Sequence, residues 1–104
     1  MLNLLKSLFG PKADFNELVS KGAVIVDVRT PEEFKVGHIK GSINIPVDKI
    51  AGQAEKLKKQ GKAVITCCRS GARSGMAKEI LNKKGVEAYN GGPWNELRNS
   101  LSES

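Results

Sequence analysis

Two hydrophobic periods alternate along the chain. Residues 23–28 are β-branched and almost continuously apolar, interrupted only by Asp27, the pattern of a strand buried on both faces of a parallel sheet. Residues 63–67 repeat it, and shorter β-rich stretches stand at 42–46, closed by Pro46, and at 86–89. Between these runs the apolar positions switch to helical spacing. Phe15, Leu18 and Val19 follow a capping Asp14 and stop at Gly22. Thr30-Pro31-Glu32-Glu33 supplies an N-cap, a first-turn proline and a capping-box glutamate for a short helix ending by Gly37. Val47, Ile50, Ala51, Ala54 and Leu57 form one face of a helix over about 48–60, stopped by Gly61. Met76, Ala77, Ile80 and Leu81 form another over 73–84, stopped by Gly85, and Trp94, Leu97 and Leu101 mark a last one after a Gly91-Gly92-Pro93 turn. Strands alternating with helices predict a three-layer α/β domain with a parallel sheet covered on both sides. In such folds ligands bind at the carboxyl ends of the strands.

The first dozen residues stand apart. Leu4, Leu5, Leu8 and Phe9 recur at helical spacing and predict an amphipathic helix over 1–12, ahead of a domain over 13–104. This segment has no basic leading region and no small-residue cleavage site, so it does not read as a secretory signal. No apolar run approaches the roughly 20 residues that span a bilayer, and no transmembrane segment is expected. Composition then narrows the partners. Seventeen Lys and Arg against eleven Asp and Glu give a formal net charge of +6, which favours anionic ligands. The lysines lie mostly on helix faces or near helix ends, Lys56, Lys58, Lys59, Lys62, Lys83 and Lys84 among them, with no aromatic residues interleaved in a basic run. They predict a solvated basic surface rather than a nucleic-acid partner. The two cysteines, Cys67 and Cys68, are adjacent, so a bridge between them would be strained and staple nothing. With His38 as the single histidine they also match no zinc pattern, and no metal is expected. Thiols kept as thiols suit a reducing, cytoplasmic setting.

The segment Cys67-Cys68-Arg69-Ser70-Gly71-Ala72-Arg73-Ser74 lies between a buried strand and a helix start. Successive backbone N–H groups of such a tight loop point inward, and the helix N-terminus adds to their field, which makes an anion cradle. A cysteine opening that loop beside Arg69 and Arg73 has its thiolate favoured and becomes a nucleophile at neutral pH. Two frames are open. From Cys68 the arginine comes after four intervening residues; from Cys67 it comes after five, a wider loop suited to phosphate or arsenate chemistry. Asp27 and Arg29 read as an ion pair near the site mouth, more structural than catalytic. His38 reads as a turn residue near the site rather than a general base, since a thiolate already ionised by its loop needs none.

Cys68-Arg69-Ser70-Gly71-Ala72-Arg73-Ser74 resembles the active-site loop of the rhodanese-like sulfurtransferases. Asp27-Val28-Arg29 with Pro31-Glu32-Glu33-Phe34, then Gly37-His38-Ile39-x-Gly41-x-Ile43-Asn44-Ile45-Pro46, and finally Gly91-Gly92 with Trp94 are similar to further motifs of that family, in its order, over about residues 23–97. Trp94 follows Gly92 more closely than is common there and is not carried over as a site residue. The resemblance implies a three-layer domain whose central, mainly parallel sheet has five strands. It also selects the Cys68 frame, because Gly71 is then the third residue after the nucleophile. It implies a sulfurtransferase that takes sulfur from an anionic donor such as thiosulfate as a Cys68 persulfide. The acceptor would be cyanide or a thiol, including a thiol-bearing protein, and no cofactor is needed. Substrate contacts would fall to Arg29 and to Arg69, Ser70, Gly71, Ala72, Arg73 and Ser74. The alternatives are a cysteine-based phosphatase or arsenate reductase built on Cys67, and a rhodanese-like binding module without chemistry.

Overall fold

The structure is a computed structural model that describes residues 13–101. The amphipathic helix expected over 1–12 lies outside the described residues. Helix α1 (Phe15–Ser20) opens on Asp14, whose carboxylate accepts the Glu17 N–H. Strand β1 (Val24–Asp27) leads to helix α2 (Pro31–Val36), where Thr30 and Glu33 form the reciprocal capping box that their spacing predicts. A two-residue strand β2 (Ile43–Asn44) and a 3-10 turn over Val47–Lys49 precede helix α3 (Ile50–Gln60). Gly61 ends α3 at φ +69°, in the left-handed region. Strand β3 (Val64–Cys68), helix α4 (Ala72–Lys83), strand β4 (Ala88–Pro93) and helix α5 (Trp94–Ser100) complete the described chain.

The strands form one sheet in the order β2-β1-β3-β4, and every pairing is parallel. The sheet has four strands rather than five. Among the described residues only four runs carry β-branched or alternating apolar residues; the rest have helical period or turn composition, so nothing remains to build a fifth. Each face of the sheet is covered. On one side Val26, Val28 and Val64 pack with Ile50, Ala54 and Leu57 of α3 and Ala77 and Leu81 of α4. On the other Ile25, Ile65 and Cys67 pack with Ile39, with Leu97 of α5 and with Phe15 and Leu18 of α1. Burying each of these large aliphatic side chains contributes roughly 1.5–3 kcal/mol, which is why the buried strands read so plainly in the sequence. No helix among the described residues is long and apolar enough to cross a membrane.

Two local expectations are corrected. Met76, placed by spacing on the buried face of α4, is 59% exposed, and Ser74 takes a buried place on that helix beside Ala77 and Leu81. The helix starts in the loop, so its phase is set by what the loop needs near Cys68. The last strand begins two residues later than the β-rich stretch and runs on through the glycines expected to turn. Its register against β3 shifts between Thr66 and Cys68, the mark of a bulge. A Cβ on Gly91 would lie 2.8 Å from both Leu97 Cδ2 and the Thr66 carbonyl, and Gly92 adopts φ +81°. The first glycine is there for close approach and the second for backbone conformation.

Candidate active site

Both inner strands, β1 and β3, end at the same edge, with Asp27 paired in register with Cys67. The chain leaves β3 at Cys68, makes the turn Arg69-Ser70-Gly71 and enters α4. Gly71 sits at φ +97°, a conformation that an L side chain strains to adopt, and this bend aims the loop amides inward. They converge on the Cys68 sulfur. Gly71 N–H lies 3.0 Å from Sγ and Ser74 N–H 3.3 Å, with Ser74 Oγ also at 3.3 Å. The cradle that the loop spacing predicts is therefore filled by the chain's own sulfur atom.

Burial works against a thiolate at Cys68, but hydrogen bonding from the backbone N–H groups of Ser74, Gly71 and Ser70 outweighs it. The thiol is drawn below its ordinary value. Cys67 is treated in the opposite way. Successive strand residues face opposite sides of a sheet, so its side chain joins Ile25, Ile39, Ile65 and Leu97 on the other face. Burial pushes its thiol up to about 12, with the nearby Asp27 carboxylate adding to the effect.

The arginines divide into committed and uncommitted groups. Arg29 is 5% exposed, and its Nε and Nη2 donate to the Asp27 carboxylate, Nη2 at 2.7 Å; Nη2 also donates to the Gly37 carbonyl at 2.6 Å. Its guanidinium also lies 4.6 Å from the centre of the Trp94 ring, which Arg98 approaches at 4.9 Å. The ion pair expected between Asp27 and Arg29 is present, and it leaves Arg29 little freedom to follow a substrate.

Arg73 reaches back from α4 to α2, where its two terminal nitrogens donate to the two Glu33 oxygens at 2.9 and 3.2 Å. Glu33 thus caps its own helix and anchors the loop helix at once. The Arg73 hydrogen bonds, followed by the Thr30 N–H, hold its carboxyl down at about 2. Sequence spacing identifies Glu33 as a cap but gives no sign of the second task, because the partner lies 40 positions away. Arg69 is exposed and lines a cleft of about 300 Å³ with Arg29, Glu33, Val36 and Trp94. Ser70 and Ala72 are also exposed, and the Ser70 hydroxyl accepts the Ala72 N–H at 3.5 Å.

His38 is occupied elsewhere, stacked on Phe34 at 3.7 Å with Nδ1 2.7 Å from the Phe34 carbonyl. Among the described residues no three His, Cys, Asp or Glu side chains gather as a metal site. One residue at the site was not signalled by any motif. Asn90 of β4 bonds to Ser74, to Gly71 and to Gly92 through one side chain. Only the hydrophilic residue within an otherwise apolar strand end could have hinted at it.

The sequence matches the rhodanese-like domain family over residues 12–95. It is 38% identical over 61 residues to the thiosulfate sulfurtransferase PspE of Escherichia coli, covering 58% of this chain and 59% of that protein. It is 33% identical over 87 residues to a thiosulfate:glutathione sulfurtransferase of Saccharomyces cerevisiae, covering 69% and 63%. A solved structure of a rhodanese with anions from E. coli is similar with a TM-score of 0.66 and 32% identity, covering 72% of this chain and 91% of that one. The chain spans less than two thirds of the length of these two curated relatives, and 17% of a tRNA sulfurtransferase of Thermoplasma acidophilum that it also matches.

Proposed function

The chain belongs to the rhodanese-like domain family, and from that premise we propose that it is a sulfurtransferase carrying sulfur on Cys68 between an anionic donor such as thiosulfate and a thiol or cyanide acceptor. The observation that carries this reading is the convergence of loop amides on the Cys68 sulfur. A thiolate held by backbone N–H groups is ready to attack without a separate base. It attacks the outer sulfur of thiosulfate, the S–S bond of the donor breaks, and sulfite departs with the bonding electron pair. The product is a persulfide whose terminal sulfur carries the negative charge, which the same amides stabilise. An acceptor thiolate or cyanide then attacks that terminal sulfur, and the Cys68 thiolate leaves, restoring the starting state. Arg69, exposed at the cleft and adjacent to the nucleophile, is suited to attract the donor anion, while Arg73 holds the loop through Glu33. Cys68 is 0% exposed at rest, so the proposed transfer needs the chain around it to shift before a donor reaches the sulfur.

Phosphatase or arsenate chemistry from Cys67 is disfavoured by where that side chain goes. Its pocket is apolar, its thiol lies far above neutral pH, and the loop amides contact its neighbour instead. Mass spectrometry after thiosulfate treatment tests the proposal. Wild type and Cys67→Ser are expected to gain one sulfur atom and Cys68→Ser none. Absence of the adduct on wild type would leave a rhodanese-like binding module without chemistry. An adduct that survives in Cys68→Ser and disappears in Cys67→Ser would move the reaction to the wider loop.

A further inference from the structure

Asn90 lies on β4, outside the loop, and two backbone groups fix the direction of its amide. The Gly92 N–H can only donate, and it lies 2.9 Å from Oδ1. The Gly71 carbonyl can only accept, and it lies 3.2 Å from Nδ2. With the amide so oriented, its oxygen is the atom that meets Ser74. Ser74 Oγ stands 2.7 Å from Asn90 Oδ1 and 3.3 Å from Cys68 Sγ. An amide oxygen has no proton to give, and a hydroxyl has one. The Ser74 proton is therefore spent on Asn90, and what Ser74 turns toward the sulfur is a lone pair. A lone pair there accepts from an S–H thiol and offers nothing to a thiolate.

We propose that Asn90 is a positioning residue for Cys68: by holding the Ser74 hydroxyl proton on β4 it keeps that proton off the sulfur, so the ionisation of the nucleophile is governed from outside its own loop. The inference rests on the reading of Cys68 as the nucleophile, but it concerns the acidity of the thiol and not the transfer of sulfur. It also assigns the favouring of the thiolate to the backbone amides of Gly71 and Ser74, with the Ser74 hydroxyl withheld. The same Asn90 side chain clamps Gly71, so its removal has two consequences of opposite sign. Loosening the loop withdraws N–H donors and disfavours the thiolate. Freeing Ser74 supplies a new donor and favours it. Among charged groups, Arg73 of α4 lies within electrostatic reach of the sulfur and is paired with Glu33 of α2, Arg69 follows Cys68 in the chain, and all three stay in place in the variants below.

The test is a pH titration of thiolate absorbance in wild type, Ser74→Ala, Asn90→Ala and the double variant. Cys67, pushed up to about 12, titrates well clear of the range of interest. Asn90→Ala is expected to move the Cys68 titration to lower pH, with about tenfold more thiolate at a fixed pH below the midpoint, the size of one charge-assisted hydrogen bond. Ser74→Ala, a small change that leaves the backbone cradle in place, is expected not to raise the titration. In the double variant the downward shift should be absent, leaving no change or the small rise that a loosened loop produces. A rise in Ser74→Ala would show that the hydroxyl already donates to sulfur and overturn the proposal. So would an Asn90→Ala titration that stays or rises, or a fall that persists without the Ser74 hydroxyl. The thiosulfate adduct is measured separately, so a protein that titrates as expected but takes up no sulfur refutes the transfer reading and leaves this inference standing.

Discussion

Cys67 and Cys68 follow one another on β3 and are both wholly buried, yet one thiol is pushed up to about 12 and the other is drawn below its ordinary value. Burial raises both thiols, but at Cys67 it prevails and at Cys68 hydrogen bonds outweigh it. The difference comes from what fills the space around each sulfur. On the Cys67 side the sheet meets Ile25, Ile39 and Leu97, and the nearest carboxylate repels a second negative charge. On the Cys68 side the chain itself bends at Gly71 and turns N–H groups inward. A one-residue step along a strand, which reverses the side-chain direction, is enough to give two neighbouring thiols opposite surroundings.

The largest effect that would break this contrast is removal of the sulfur that the loop holds. Cys68→Ser is expected to lower turnover with thiosulfate to background, a loss of at least about 1000-fold, measured by thiocyanate formation. Next comes the bend. Gly71→Ala has room for its methyl group, with Gly92 Cα at 3.6 Å as nearest neighbour, but an alanine at φ +97° is strained by roughly 1–2 kcal/mol. Relief of that strain turns the Gly71 N–H away from sulfur, so the Cys68 titration should rise and turnover fall by about tenfold or more. A Gly71→Ala variant with wild-type acidity would show that the bend does not matter.

Glu33→Gln probes the same loop from α2. The bridge to Arg73 is about one third exposed on each side, so its loss is expected to destabilise by only about 1 kcal/mol at neutral pH in chemical denaturation. The folded carboxyl titrates at about 2, below the ordinary 4.5, so the stabilisation is complete above the unfolded value. It fades as pH falls through 4.5 toward 2. Wild type and variant should therefore converge in acid, and a stability gap that stays constant as pH falls from 7 to 2 would show that the carboxylate charge is not its source. The smallest effect is expected from Cys67→Ala, about 1 kcal/mol of lost packing with turnover within twofold of wild type. A larger loss of turnover would mean that the two faces of β3 are not independent.

What the sequence disclosed follows the range of each interaction. The capping box of Thr30 and Glu33 is local and its spacing alone identifies it; the loop is local too, but its spacing leaves Cys67 and Cys68 both open, and the resemblance chose between them. The buried strands show because both of their faces meet apolar residues. The Glu33–Arg73 bridge and the Asn90 contacts join distant positions, and no local pattern encodes them. The exposure of Met76 has the same cause, since the phase of α4 is set by Ser74 entering the site rather than by the helix's own periodicity. The fifth strand came from resemblance alone and had no residues behind it.

The complete burial of Cys68 bears on time as well as on access. A sulfur carrier must keep its cargo from water, oxidants and stray thiols until the proper acceptor arrives. On the proposed function, a persulfide at Cys68 would be shielded in the same way, and reached only when the chain around it shifts. The lifetime of that persulfide without an acceptor would then report how often the shift occurs.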